Sequence, residues 1–152
     1  MIFQKKAPFP ALSKEARRST RCCIMSNLTF GLKRPEDEIK VDLENAILDS
    51  IKNCRTTFIV CISTIIDIWA AKIILRLKSG NPDIKLIITP GIEQFTDDSF
   101  DFVVSHADYL FHADNEKVID SVSGVIAVYN GKALDPIRYA RSCHTPVKYI
   151  GA

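Results

Sequence analysis

Apolar positions along this chain fall into two alternating rhythms. Compact β-favouring runs recur at 21–26 (RCCIMS), 56–62 (TTFIVCI), 84–90 (IKLIITP), 124–130 (GVIAVYN) and 146–150 (PVKYI). The central runs are continuous and do not alternate apolar with polar, which predicts strands buried on both faces, as in a parallel sheet covered by helices. Between the runs the period lengthens. Behind Pro35 and three acids (Glu36, Asp37, Glu38), Ile39, Leu43, Ile47 and Ile51 recur every four residues. That spacing predicts an amphipathic helix with its stripe on the sheet. After the second run, a helix beginning near Asp67 carries Ile68, Trp69, Ala71, Ile73, Ile74, Leu75 and Leu77 nearly all round. Such apolar girth predicts a helix caught between the sheet and a second surface, read here as the interface of a homodimer through the Trp69 helix. Phe100, Val103 and Val104 mark an amphipathic helix after an acidic linker within 91–107, with a short strand near Tyr109–Phe111 and helices near Glu116–Ser121 and Asp135–Cys143. The repeated β-α alternation predicts an α/β, Rossmann-like three-layer sandwich with a mostly parallel sheet of five or more strands and right-handed crossovers.

At 152 residues the chain fits one domain. Residues 1–20 read as a basic N-terminal tail and 21–152 as the domain, because Lys5, Lys6, Lys14, Arg17, Arg18 and Arg21 face a single acid, Glu15, in the first 22 residues. The net charge is only +2, so the remainder is slightly acidic and presents no basic face for nucleic acid. No segment approaches the roughly 18 apolar residues of a membrane span. The five cysteines form an odd set without CxxC spacing, and most fall in or beside predicted elements where a thiol acts as a small buried hydrophobe. A reducing cytoplasm, no structural metal and no cofactor are expected. His106, His112 and His144 form no ligand cluster with the thiols.

Several blocks then carry a family resemblance. The segment TTFIVCISTIIDIWAAKIILRLKSGNPDIKLI keeps Asp67, Trp69, Ala70, Ala71 and the Asn81-Pro82-Asp83-Ile84 turn. It resembles the central segment of the DUF1273 (YpsA-like) family, whose pattern there is a strand followed by G-M-A-x-G-x-D-x-W-A-A. That family lies in the SLOG superfamily of Rossmann-like proteins, together with the DprA and LOG proteins. A second block, NEKVIDSVSGVIAVYNGK, is similar to the family's R-N-x-x-M-V-D-x-S-D-x-x-I-A-V-Y-D-G at Asn115, Val118, Ile119, Asp120, Ser123, Ile126, Ala127, Val128, Tyr129 and Gly131. IRYARSCHTPVKYI resembles the last helix and strand, so the likeness spans about residues 22–150. It implies a Rossmann-like fold and a ligand of the nucleotide-derived class.

The departures are as informative. Cys61 and Ile65 stand where the family has loop glycines, and Ser26, Asn27 and Leu28 stand at its Gly-His-Arg turn. Asp114 replaces an arginine, and a later Gly-Gly-Thr loop is shortened to about 132–135. Glycine lets such a turn reach φ > 0 and brings backbone N–H groups onto a phosphate, and a β-branched isoleucine does neither. Related LOG proteins are phosphoribohydrolases with a PGGxGT loop and a following glutamate, and this chain has neither. Cys143 and His144 are adjacent, so on a helix end their side chains diverge rather than pair.

The candidate ligand residues are therefore Ser63, Thr64, Asp67, Asn115, Asp120, Asn130 and Gly131, with His112 near the same crevice. Each has a structural reading beside the ligand one. Asp67 with Thr64 fits a helix capping box, Trp69 fits packing, Asp120 fits a helix-end acid, and Asn130-Gly131 fits a turn. The expected function is a non-catalytic binding or regulatory protein with a degenerate nucleotide-type site, partnered by a nucleotide-derived small molecule or a protein. Two alternatives stand beside it: a binder of a nucleotide or ADP-ribose-like ligand, and a residual glycosidic-bond hydrolase. The distinguishing feature is whether Ile65 and Ile66 fill the crevice or turn into the core.

Overall fold

The computed structural model describes residues 18–90, 98–132 and 135–152. The expected tail at 1–17, the linker at 91–97 and the centre of the shortened loop at 133–134 lie outside the described residues. The elements run β1 (Arg21–Leu28), α1 (Glu36–Lys52), β2 (Thr57–Cys61), α2 (Ile65–Gly80), β3 (Lys85–Thr89), α3 (Asp98–His106), β4 (Tyr109–Leu110), α4 (Asn115–Asp120), β5 (Gly124–Asn130), α5 (Asp135–Ser142) and β6 (Val147–Gly151). The six strands form one sheet in the order β4-β3-β2-β1-β5-β6, and every neighbouring pair is parallel. This is a Rossmann-like α/β three-layer sandwich.

Strand parity builds the two cores. Cys22, Ile24, Phe58, Val60, Leu86, Ile88, Ile126 and Val128 point to one face, where α1, α2 and α3 pack. Cys23, Met25, Ile59, Cys61, Ile87, Val125 and Ala127 point to the other, against Val118 and Ile119 of α4 and Ile137 and Ala140 of α5. Right-handed crossovers require this division. The chain steps outward from β1 to β4 with its helices on one face, then returns to pair β5 with β1 and steps the opposite way with its helices on the other. The order therefore reverses at β1 and β5, and the carboxyl ends of the central strands form the switch-point crevice of such a sheet.

One strand is longer than the sequence pattern predicts. β1 continues two residues past Ser26, because Asn27 and Leu28 pair with Tyr129 and Asn130 of β5. Local pattern does not contain that distant pairing. Within the chain, α2 lies between α1 and α3. Lys40 of α1 sits over the Trp69 ring at 4.9 Å, Arg76 bonds Glu44 of α1, and Lys72 donates to Ser99 of α3 at 2.8 Å.

Candidate functional site

At the carboxyl ends of β1, β2 and β3 lies a crevice of about 610 Å³. Its polar lining comes from Ser26, Asn27, Ser63, Thr64, Thr89 and Asn115, and its apolar lining includes Met25, Leu28, Cys61, Ile62 and Pro136. Among the described residues the lining carries no charged side chain. Ile65 and Ile66 do not line it. Ile66 is fully buried in the core between the sheet and the helices, and Ile65 packs against that core from the first turn of α2. The bulk of these two isoleucines is turned inward, which is where apolar side chains are most stable.

The turn from β2 into α2 is organised around one carboxylate. Thr64, extended at φ −136° and ψ 172°, is the N-cap of α2, and its hydroxyl oxygen accepts from the Ile66 N–H at 3.2 Å. Asp67, three residues on, accepts from the Thr64 N–H at 3.0 Å and so closes a reciprocal capping box. Its Oδ2 also accepts from the Ser63 N–H at 2.8 Å, the Ser26 hydroxyl at 2.7 Å and the Ser63 hydroxyl at 3.1 Å. Thr64 Oγ1 and Ser26 Oγ share a short hydrogen bond. Because the Ser26 proton goes to the carboxylate, the Thr64 hydroxyl is the donor to Ser26. A single ordered chain thus runs from the Ile66 amide through Thr64 and Ser26 to Asp67.

Asp67 is completely buried, and its second oxygen, Oδ1, has no hydrogen-bond partner. Burial pushes its pKa up from 3.8 to about 6, against the lowering effect of its bonds to Ser26, Thr64 and Ser63. The Cys61 thiol beside it is pushed up to about 12, first by burial and then by the charge of Asp67, with Thr89 acting in the opposite sense. A thiol so protected is not a nucleophile at neutral pH. Thr89 lines the crevice at 7% exposure, and its buried Oγ1, set beside the Cys61 thiol, has no other hydrogen-bond partner.

The sequence candidates separate into groups. Ser63, Thr64 and Asn115 line the crevice together, and Asp67, fully buried and outside that lining, is bonded directly to Ser63 and Thr64. Asp120 is absent from this lining. It ends α4 four residues before the amino end of β5, the far side of the sheet from the crevice, and accepts from the Tyr139 hydroxyl at 2.6 Å. Asn130 is buried and holds the loop after β1: its Oδ1 accepts from the Phe30 N–H at 2.9 Å, and its Nδ2 donates to the Phe30 and Gly31 carbonyls at 3.2 Å each. Gly131 follows at φ 77°, where a Cβ would stand 2.7 Å from Thr29 Cβ. His112 is exposed, and Asp114 caps α4 by accepting from the Lys117 N–H at 2.9 Å.

Ser26, Thr89 and Asn27 are the site residues that the sequence reading passed over as ligand candidates. Their signal is positional, a polar residue closing an otherwise apolar parallel strand, which places it at the ligand-binding edge. Among the described residues no group of three or more His, Cys, Asp or Glu is placed to hold a metal ion, and no helix is long and apolar enough to cross a membrane. No protein-family model and no curated protein matches the chain.

Proposed function

We propose that this chain is a non-catalytic binding protein whose switch-point crevice holds a small polar molecule of the nucleotide-derived class. One observation carries the reading. Ile65 and Ile66, standing where phosphate-binding turns have small residues, pack into the core and leave the crevice open. Its volume falls in the range of about 300–1,000 Å³ typical of small-molecule sites. Six hydroxyl and amide side chains on an apolar base supply orientation without strong charge. Binding without turnover is favoured because the crevice thiol, Cys61, is held protonated and the Ser63 and Ser26 hydroxyls donate into a carboxylate that fixes them. The nucleotide-derived class comes from the SLOG resemblance together with the position of the crevice.

Thermal unfolding against a panel of nucleosides, AMP, ATP, NAD and ADP-ribose tests this. A ligand present at a hundred times its dissociation constant stabilises the fold by about 2.7 kcal/mol, which raises the Tm by roughly 5–10 °C for a domain of this size. A saturable shift with no product formed on prolonged incubation is the expected result. A cooperative melt unmoved by every member of the panel contradicts the reading.

A further inference from the structure

We propose that the molecule held in this crevice is uncharged, a nucleoside rather than a nucleotide, because the Asp67 carboxylate already stands where a phosphate would bind. The inference rests on the binding reading and narrows it. A phosphate at the start of a helix is held by backbone N–H groups of the preceding turn. Here the Ser63 and Thr64 N–H groups point at Asp67 Oδ2, at 2.8 and 3.0 Å, and the Ile66 N–H points at Thr64 Oγ1. The protein supplies its own anion, and these three donors are spent.

The hydroxyl groups follow the same polarity. Ser26 and Ser63 direct their protons toward Asp67 or the Ser26 carbonyl, and Thr64 directs its proton to Ser26. What they leave for a molecule in the crevice is oxygen lone pairs. Thr89 adds a second, independent observation. The residue lines the crevice and is more than nine-tenths buried, and its Oγ1, set beside the Cys61 thiol, has no other hydrogen-bond partner, so a molecule seated against Thr89 supplies the one it lacks. No cation lines the crevice among the described residues to offset a second negative charge. Asn27 and Asn115 add amide groups that both donate and accept, so the hydroxyl, amino and carbonyl groups of a nucleoside match an uncharged lining that a phosphate group does not.

Isothermal titration calorimetry near neutral pH, with adenosine, guanosine, cytidine and uridine, their monophosphates and inorganic phosphate, tests the inference on the intact protein. At least one nucleoside is expected to bind more tightly than its own monophosphate by roughly tenfold or more, the scale of an unfavourable like-charge contact, with no binding of inorganic phosphate. Asp67→Asn keeps an acceptor for the turn but removes the charge. It is expected to shrink that preference to roughly threefold or less. A monophosphate that binds as tightly as its nucleoside overturns the inference while leaving a binding site in place. A preference that survives undiminished in a folded Asp67→Asn protein also overturns it, since the charge is then not the cause. Failure of every nucleoside to bind also overturns the inference, and failure of ATP, NAD and ADP-ribose as well removes the binding reading itself. The wild-type pairs decide the matter even if the variant does not fold.

Discussion

Replacing Asp67 by asparagine should change how stability depends on pH more than it changes stability at any one pH. The carboxyl group is completely buried, and its pKa in the fold is about 6 against an ordinary value of 3.8. The folded state therefore binds a proton that the unfolded chain has lost between about pH 4 and about pH 6. Over that window this group makes the protein less stable as pH rises. Its contribution is most favourable below the unfolded value and is lost once pH has passed the folded one. Each tenfold in proton affinity is worth about 1.4 kcal/mol, so the total change is roughly 3 kcal/mol. Cys61, its titratable neighbour, stays protonated throughout because burial pushes it to about 12. Other carboxylates titrate in the same window, so the quantity to follow is wild type minus Asp67→Asn. Urea unfolding at pH steps from about 4 to about 8 gives that difference. Wild type is expected to lose roughly 3 kcal/mol relative to the variant between the ends of the range, most of it below about pH 6. A flat difference, or one that moves in wild type's favour as pH rises, refutes the reasoning: the donors on Oδ2 would then outweigh burial.

Ile66→Ala removes a fully buried side chain from the first turn of α2 and is expected to cost about 2–5 kcal/mol in the same urea assay. Gly131→Ala forces a Cβ to within 2.7 Å of Thr29 Cβ at φ 77°, and a loss of about 2 kcal/mol or more is expected from the left-handed backbone alone. Thr89→Val replaces a buried hydroxyl, whose one neighbouring polar group is the Cys61 thiol, with a methyl of the same shape. Stability should hold or rise, within about 1 kcal/mol, while affinity for a crevice-bound nucleoside falls by roughly tenfold. Equal affinity in the two proteins removes Thr89 from the site.

Much of the fold was legible because parallel strands buried on both faces leave a local record. GVIAVYN reads as a strand over the same residues that form β5, and the four-residue spacing from Ile39 to Ile47 locates the buried stripe of α1. What depended on distant partners was less legible. The last two residues of β1 are strand only because β5 lies beside them, and α2 is flanked on the sheet by α1 and α3. The site divides along the same line. Thr64 and Asp67 are neighbours on one helical turn, so their capping box is visible in four consecutive residues. Ser26 joins them from another strand, 41 positions from Asp67, and Thr89 reaches the crevice from a third. The isoleucines were the open question at the loop, since the sequence contains their bulk but not the direction in which they pack. Asn130 met its loop partners across about 100 positions, which turned a turn-like dipeptide into a clamp on the segment after β1.

The most direct test of an open crevice guarded by an internal carboxylate is amide NMR of the labelled protein during titration with adenosine. Perturbations gathered at Ser26, Asn27, Ser63, Thr64, Thr89 and Asn115, with the Ser63 and Thr64 amides remaining hydrogen-bonded to Asp67, are the expected result. Perturbations confined to another surface, or release of those two amides to the added molecule, would contradict it.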